Sequence, residues 1–421
     1  MQFPEISADA LETAVHLVEP DGRVTRGAEA AFRSQACVRR WPLWLYENVP
    51  GVAPVTEAAY RVVARNRTFF SFVTRWLWGP RVEPPTHFLV RWLFLRLLGV
   101  VYLVAFLSLN AQVLGLIGSN GIVPARQVMR SVEQDTTAPG FDQFRQMPTL
   151  CWLSAEDDYL RAQCVAGIAL SVLLILNIAP AICLALLWLL YLSLATVSTV
   201  FLGYQWDNLL LEVGLLAIFF APLRLWPNLA REAPPPRIVL WLLRWLLFRL
   251  MFASGAVKLL SGDATWHDLT ALTLHYETQP LPTALGWFAH QLPLWFQKAS
   301  CVAMFGIELV LPFFIFLPRR PRFIAFWACT LLMLVISLTG NYTFFNLLAF
   351  ALCVTLLDDF ALVRFAPEKW EGRVAAGARP PWLKRLPLGL RWAGGAVLAL
   401  LTAIVLAVTT VEMLGIARFR W

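Results

Sequence analysis

The stretch FLVRWLFLRLLGVVYLVAFLSLNAQVLGLI, residues 88–117, is apolar along almost its whole length. A helix needs about 20 mostly apolar residues to cross the hydrocarbon core of a bilayer. This stretch is longer than that, and its two charged residues, Arg91 and Arg96, both lie towards its start. It therefore predicts a membrane-spanning helix, and similar stretches follow it along the chain.

The composition of the whole chain also indicates a membrane protein. Hydrophobic residues make up 58% of the 421 residues, charged residues make up 15%, and the mean hydropathy is +0.62. The 19 Trp and 29 Phe suit a protein that needs aromatic anchors at membrane interfaces. The net charge of +8 comes mostly from Arg in short connections between apolar stretches. That pattern is typical of a topology signal, and we expect no nucleic-acid partner.

We predict an all-α fold, a polytopic transmembrane helical bundle of about nine spans, with a small α/β N-terminal cap. The cap is expected from VHLVEPDGRVTRGAEAAFRS, which reads as a strand, an Asp-Gly turn, a short strand and a helix. Whether residues 162–202 form two helices or one broken helix is left open. The predicted spans lie near 88–117, 162–178, 181–202, 208–223, 238–260, 299–317, 322–339, 342–357 and 389–414.

The distribution of Lys and Arg predicts the direction of the spans. Basic residues gather before the first span and in the connections 224–237, 319–322 and 358–388. With nine spans, all of these fall on one side, which the positive-inside rule assigns to the cytoplasm. The N-terminus is then inside and the C-terminus outside.

Three regions follow from these boundaries. They are a cytoplasmic segment 1–80, a transmembrane core 81–360 with outer loops 118–161 and 261–298, and a basic linker with the final span, 361–421.

The outer loop 261–298 starts with SGDATWHDLTALTLHYETQPLP, a polar and aromatic segment between two apolar stretches. Aromatic side chains of this kind suit a surface that holds partly folded protein. The candidate residues of this outer-face polar site are Asp207, Glu212, Trp266, His267, His275, Tyr276, Glu277 and Asn341.

Charged residues at membrane depth need a partner, because an isolated charge there is costly. Arg249 and Glu308 lie near the middle of their predicted spans, and we expect them to pair across adjacent helices. The alternative is a functional role, such as gripping a polar substrate. Lys258 lies towards the outer end of its span, where it is expected to form a polar pocket with Asp207 and Glu212.

The motifs of common enzyme and metal sites are absent from the sequence. It has no GxSxG, HExxH or P-loop motif, and its seven Cys are scattered without a CxxC. His267 and His275 with Asp268 and Glu277 make a metal site conceivable, but two such His are more typical of simple polar contacts. We therefore expect no metal and no cofactor, and the sequence favours a non-enzymatic protein.

Four stretches resemble the lipase maturation factor family of polytopic membrane proteins. The likeness covers about residues 88–360 and implies, for animal members, residence in the endoplasmic reticulum and assistance to the folding of secreted lipases. The stretches are FLSLNAQVLGLIGSNGIVPA (106–125), YQWDNLLLEVGLLAIFFAP (204–222), RWLLFRLMFASGAVKLLSGDATWHDLTALTLHYETQPLPT (244–283) and GNYTFFNLLAFALCVTLLDD (340–359).

The resemblance implies a membrane-embedded maturation factor acting at the outer face, with membrane lipids and a secreted lipase as partners. Only four of the 35 basic residues are Lys, which favours a bacterial inner membrane over the endoplasmic reticulum. Family members usually continue into a soluble outer domain after the last span. We expect this chain to lack that domain, which places a lipase-chaperone role in question.

Two further resemblances concern shorter stretches. DGRVTRGAEAAFRS and AYRVVARNR are similar to the second half of the DCC family of thiol-disulfide oxidoreductases, without its dithiol motif. Ala253–Lys258 followed by Trp266 is similar to a motif of the HTTM group, which includes the vitamin K-dependent carboxylase. That likeness implies an alternative function, a membrane enzyme in which Lys258 is the catalytic base on a lipophilic or peptide substrate.

Overall fold

The computed structural model of the chain describes residues 13–79, 85–135, 141–228 and 232–365, with isolated positions between 396 and 415. The chain divides into two compact units, Met1–Val82 and Glu83–Trp421. Most of the predicted final span, 389–414, and most of the basic linker before it lie outside the described residues.

The first unit is a small α/β fold, in agreement with the predicted cap. Strands β1 (His16–Val18) and β2 (Val24–Arg26) pair antiparallel across a turn in which Gly22 has a φ of +86°. Glu57 joins three helices, because its carboxylate accepts hydrogen bonds from Tyr46 Oη and from the backbone N–H of Glu29, both at 3.2 Å. The helices are α1 (Gly27–Ala36), α2 (Trp41–Asn48), α3 (Val52–Arg65) and α4 (Arg67–Trp78).

The second unit is built of helices joined by loops in its described residues, with one isolated β-bridge between Pro282 and Gly340. Its helices are α5 (Phe88–Ile117), α6 (Ala125–Asp135), α7 (Phe141–Gln146), α8 (Asp157–Ile175), α9 (Pro180–Val197), α10 (Thr199–Leu202), α11 (Gln205–Phe220), α12 (Arg237–Leu260), α13 (Ala264–His267), α14 (Ala271–Thr278), α15 (Ala284–His290), α16 (Leu294–Phe305), α17 (Arg319–Thr339), α18 (Phe345–Val354) and α19 (Asp359–Leu362). Short 3₁₀ turns add Leu150–Trp152, Leu311–Phe316 and Val363–Phe365.

Among the described residues, 6 helical segments are long and apolar enough to cross a membrane. The pair Phe345–Val354 and Asp359–Phe365, bent by 107°, makes up to 7 if it is one span. Helix α11 lies where a span was predicted but has only 16 residues. The count of nine spans, and the direction of the termini, stay predictions. The six segments are Phe88–Ile117, Asp157–Ile175, Pro180–Val197, Arg237–Leu260, Leu294–Phe316 and Arg319–Thr339.

The region 162–202, which the sequence left open, forms two long helices, α8 and α9, and the short α10 follows them. A tight turn between α8 and α9 places Asn177 at φ +65° and Ala179 at φ +43°, and Pro180 starts the next helix. Proline suits the first position of a helix because its missing N–H has no partner there anyway. The turn returns the chain, so that α8 and α9 pack against each other.

The segment Leu294–Phe316 is an irregular span. After α16 it passes through a π-helical turn, Gly306–Val310, and then a 3₁₀ stretch that contains Pro312. A π turn has one extra residue per turn and shifts the side chains that follow it around the helix axis. Glu308 lies inside this turn and is buried, so the irregular backbone determines where that carboxylate points.

The start of α5 is fastened by a residue far away in the sequence. The Asp359 carboxylate accepts hydrogen bonds from the backbone N–H groups of Phe88 at 2.7 Å and Leu89 at 2.9 Å. These N–H groups have no partner within the helix, and a carboxylate there also interacts favourably with the helix dipole. The contact ties the chain just after α18 to the first turn of α5.

Close helix contacts in the bundle depend on glycine. A Cβ added at Gly214 of α11 would lie 2.0 Å from Tyr102 Oη of α5, and one at Gly167 of α8 would lie 2.4 Å from the Phe106 ring. Small residues allow helices in membranes to approach closely and gain van der Waals contact. Tyr102 is fully buried, and its hydroxyl has no hydrogen-bond partner among the described residues.

We expect Gly214→Ala to destabilise the chain by about 1–3 kcal/mol, the usual effect of overpacking. Tyr102→Phe should restore most of the loss, because it removes the hydroxyl that the new methyl group meets and leaves no polar group unpaired. The measurement is the thermal unfolding midpoint of the purified chain in detergent. Gly115→Ala is the matched control, since a Cβ there meets nothing within 4 Å. An unchanged midpoint for Gly214→Ala alone would contradict the packing described.

Candidate functional site

The polar segment after α12 folds into three short helices, α13, α14 and α15, which pack on α12, α16 and α17. Asp263 starts α13, and its carboxylate accepts a hydrogen bond from the backbone N–H of Thr265 at 2.9 Å. That bond lowers the pKa of Asp263, since it stabilises the charged form. Leu269 then adopts a φ of +60°, which turns the chain into α14.

Polar side chains of this segment hold it against the end of α17. Gln279 Nε2 donates to the Thr339 carbonyl oxygen at 2.9 Å, and Thr283 Oγ1 donates to that of Leu338 at 2.7 Å. Thr283 Oγ1 also accepts from the backbone N–H of Gly286 at 3.0 Å, which starts α15. A Cβ at Gly286 would lie 2.5 Å from the Thr339 carbonyl oxygen, so glycine permits this close approach.

His275 of α14 contacts the turn that follows α17. Its Nε2 lies 3.1 Å from Tyr342 Oη. Burial lowers the pKa of His275, and the nearby positive charge of Lys258 lowers it further. Burial raises the pKa of Tyr342. The imidazole and the tyrosine hydroxyl share a hydrogen bond, and this contact fixes α14 to the 340–342 turn.

Beneath the segment, Lys258 of α12 forms an ion pair with Glu308 of the π turn. Lys258 Nζ lies 2.7 Å and 2.6 Å from the two carboxylate oxygens, and the side chains are 22% and 5% exposed. The ammonium also lies 5.5 Å from the centre of the Trp266 ring, a cation–π contact. A Cβ at Gly255 would lie 3.0 Å from Glu308 Cβ, so this glycine lets α12 approach the π turn.

The structure corrects the predicted pairing of Arg249 with Glu308. Arg249 instead pairs with Glu212 of α11, and Glu308 pairs with Lys258. The predicted polar pocket of Asp207, Glu212 and Lys258 also does not form. Asp207 accepts a hydrogen bond from Tyr191 Oη at 2.5 Å, so each of the three has a partner of its own.

The remaining predicted residues lie around the segment without forming one cluster. Glu277 lies 3.1 Å from His290 Nε2, and Tyr276 packs beside the His275 ring at 5.6 Å between ring centres. His267 is exposed, and Asn341 Oδ1 accepts a hydrogen bond from the backbone N–H of Thr343 at 3.2 Å. In the part of the chain that the structure describes, no group of three or more His, Cys, Asp or Glu is placed to hold a metal ion.

Sequence reasoning did not find three of the residues that shape this site. Gln279, Thr283 and Tyr342 carry the hydrogen bonds that hold the segment in place. The available signal was glycine, because Gly286 and Gly340 allow close backbone contact at these positions. A Cβ at Gly340 would lie 2.6 Å from Gln279 Oε1.

Large apolar side chains of the same segment point outwards. Leu281 is 59% exposed, Leu285 50%, Trp287 60% and Phe288 62%. We call these four residues the aromatic surface. Trp287 and Phe288 contact edge to face, with 5.0 Å between ring centres. The polar side chains thus hold the segment in place, while these four apolar side chains stay exposed.

We expect Lys258→Met to destabilise the chain by about 3–5 kcal/mol, because it leaves the buried Glu308 carboxylate without its partner. Glu308→Leu in the same chain should restore most of the stability, since neither charge then remains. The measurement is the thermal unfolding midpoint of four chains: the unchanged chain, each single variant and the double variant.

The matched control for this cycle is Arg249→Leu with and without Glu308→Leu. Since Arg249 pairs with Glu212, the second change should give no rescue. Rescue of Arg249→Leu by Glu308→Leu would contradict the pairing that the structure shows.

His275 should make the stability depend on pH. Its pKa is lower in the folded chain than the ordinary value of 6.5, so its contribution is fully present above pH 6.5 and is lost as the pH falls from there towards the folded-state pKa. We expect the unfolding midpoint to fall between pH 7.5 and about pH 5, and to fall less in His275→Gln. The exposed His267→Gln is the control and should keep the pH dependence of the unchanged chain. Identical profiles for His275→Gln and the unchanged chain would refute the assignment.

The chain has clear relatives among known proteins. A sequence profile described as the lipase maturation factor transmembrane domain matches residues 89–364. Lipase maturation factor 2 of Gallus gallus is 46% identical over 301 residues, which are 69% of this chain and 40% of the relative. Lipase maturation factor 2 of Homo sapiens is 45% identical over 288 residues, or 64% of this chain and 40% of the relative.

Lipase maturation factor 1 of Bos taurus is 37% identical over 293 residues, which cover 68% of this chain and 52% of the relative. The chain therefore spans about two fifths to one half of the length of these relatives. No solved structure matches the chain.

The matched region extends from the first turn of α5 to the 3₁₀ turn after α19. It contains the polar segment after α12, the Lys258–Glu308 pair and the described helices that are long enough to span a membrane. The match covers well over half of the chain, and the shared regions are the ones that the sequence resemblance rested on. This integral membrane protein belongs to the lipase maturation factor family.

Proposed function

We propose that the chain is a membrane-embedded maturation factor for secreted proteins, with lipases as its clients. Family membership supports this, because the relatives are named for lipase maturation. The observation that carries the proposal is the aromatic surface. It joins large exposed apolar side chains to a segment that is held in place by hydrogen bonds on its other side.

This arrangement suits the transient binding of an incompletely folded protein. A contiguous exposed apolar patch is typical of an interaction site, and aromatic side chains are enriched where proteins contact each other. Because Gln279 and Thr283 hold the backbone of the segment in place, little backbone entropy is lost there when a client binds. A folding client presents apolar residues that its native state later buries, so it is released as it folds.

The working face in this proposal is the one that carries the segment 261–298. The positive-inside rule places it opposite the Arg-rich connections, on the outer side of the membrane. Secreted clients fold on that side, whether the membrane is a bacterial inner membrane, as the Arg bias favours, or that of the endoplasmic reticulum. The DCC and HTTM resemblances stay predictions from the sequence and are not needed for this function.

The alternative function, an enzyme with Lys258 as base, gains no support from the contacts of that residue. Lys258 donates to both oxygens of Glu308 and lies against Trp266. An ammonium group has no lone pair with which to accept a proton, so Lys258 would have to lose a proton and leave its ion pair with Glu308 before it acted as a base. Described residues around it include no second base in hydrogen-bond contact with Lys258.

We expect Trp287→Ala and Phe288→Ala each to weaken client binding by about ten-fold, as the loss of an aromatic anchor does at protein interfaces. In the source organism, with the gene deleted and replaced by each variant, the secreted lipase activity should fall while the amount of the chain in the membrane stays constant. Trp327→Ala is the matched control, since Trp327 is 66% exposed but lies in the spanning helix α17.

Three outcomes of this experiment are informative. Unchanged secretion of every hydrolase after gene deletion would refute the maturation role. An equal loss in Trp327→Ala would show that the aromatic surface has no special part. Full loss of function in the Lys258→Met and Glu308→Leu double variant, at normal stability, would favour the enzyme instead.

A further inference from the structure

A cavity of about 420 Å³ lies at the opposite end of α12 from Lys258. It is bounded by the residues before α5, by Pro234 and Pro235, and by the first two turns of α12. The polar side chains that line it are those of Thr86, His87, Arg237 and Arg244, and Trp241 provides an aromatic wall. None of the described residues that line it is acidic.

Three acidic residues of the described ranges near the cavity, Glu232, Asp358 and Asp359, each have another partner. Glu232 pairs with Arg91. Asp358 pairs with Arg319 at 2.6 Å, and Asp359 accepts hydrogen bonds from the first turn of α5. Within the described ranges, neither Arg237 nor Arg244 has a carboxylate at ion-pair distance. The cavity therefore has an excess of positive charge that the described protein does not neutralise.

Arg244 is held in place by hydrogen bonds from only part of its guanidinium group. Its Nε and Nη2 donate to the Thr355 carbonyl oxygen at 2.9 Å and 2.8 Å, and Nη2 lies 3.2 Å from His87 Nε2. Nη1 makes no hydrogen bond to any residue that the structure describes. A fixed guanidinium with free N–H groups is well suited to bind an oxyanion, since its position costs little to maintain.

His87 completes the geometry as a neutral acceptor. Burial, and then the charge of Arg244, lower the pKa of His87 to about 3, so the ring is uncharged at neutral pH. Its Nε2 lone pair accepts from Arg244 Nη2, which keeps the guanidinium in one orientation. The other charge of the cavity comes from Arg237, which is exposed in the first turn of α12.

The cavity also borders an apolar surface. Ile238 and Trp241 are each 38% exposed at the start of a helix that is able to span a membrane. Trp is enriched at the level of lipid headgroups, and basic pockets between spanning helices bind anionic headgroups. A bound molecule with a phosphate group and an apolar chain fits both parts of the site.

We propose that this cavity is a binding site for an anionic phospholipid. Arg237 and Arg244 contact the phosphate group, and the acyl chains lie along Ile238 and Trp241. The shared chemistry is that of a phosphate oxyanion, for which a soluble phosphate is the other source. The site is separate from the aromatic surface and does not depend on the proposed function.

The test uses the full chain, purified in detergent, with three probes: phosphatidylglycerol, phosphatidylcholine and inorganic phosphate. Binding is measured by native mass spectrometry and by the shift of the unfolding midpoint. We expect phosphatidylglycerol to bind and the other two probes to bind much more weakly. Arg237→Gln should weaken phosphatidylglycerol binding by about ten-fold, the effect of one charge-assisted hydrogen bond.

The matched control is Arg320→Gln, an exposed arginine in the first turn of α17 that does not line the cavity. It should leave the affinity unchanged, because Arg320 does not line the cavity. Arg237 makes no ion pair with a described carboxylate, so its replacement removes no such contact from the fold. Equal affinity in the unchanged chain and Arg237→Gln, or equal weakening in Arg320→Gln, would overturn the site. Inorganic phosphate that binds as tightly as phosphatidylglycerol would overturn the lipid as its ligand.

Discussion

A charge inside a bilayer has to find its partner within the protein, and the arrangement of this chain follows from that constraint. Arg249 pairs with Glu212, Lys258 pairs with Glu308, and Asp207 accepts from Tyr191. Each contact joins two different helical segments. A slip by one helical turn, about 5.4 Å, would break it and leave a charged or polar group alone in a medium of low polarity. These contacts therefore fix the helices in one register, with α12 common to two of them.

The Lys258–Glu308 pair links the membrane part to the segment above it. Gly255 lets α12 approach the π turn, and the π turn directs Glu308 towards Lys258. Trp266 lies over the same ammonium, so the pair also positions the first helix after α12. Further along, Gln279 and Thr283 attach the segment to the end of α17. The Lys258–Glu308 pair, together with the hydrogen bonds of Gln279 and Thr283, thus positions the segment and thereby determines which of its side chains are exposed.

Hydropathy was sufficient to predict the long helices, because length and apolarity are properties of a single stretch. The span 88–117 agrees with α5, and 238–260 agrees closely with Arg237–Leu260. The pairing was not predictable in the same way. Glu212 and Glu308 both lie on spans near Arg249 in the sequence, and the side-by-side order of the helices decides which one it meets. The π turn at Glu308 has no sequence signature of its own, so its effect on direction could not be anticipated. Likewise, the sequence treated His267 and His275 alike, although only His275 has a partner on another element, Tyr342.

The two ends of α12 differ in a way that sequence position alone does not reveal. Lys258 at one end is matched by a carboxylate, whereas Arg237 and Arg244 at the other end have none among the described residues. Unmatched cations are stable where anionic headgroups and water reach them, and the positive-inside rule predicts the cytoplasmic side for such residues. At the matched end the charge of Lys258 is neutralised by Glu308, and the proposed function assigns the exposed apolar side chains of the segment after α12 to a protein partner. Because one helix joins both ends, the two proposals assign a lipid site to the start of α12 and a protein-contact surface to the segment that follows its end.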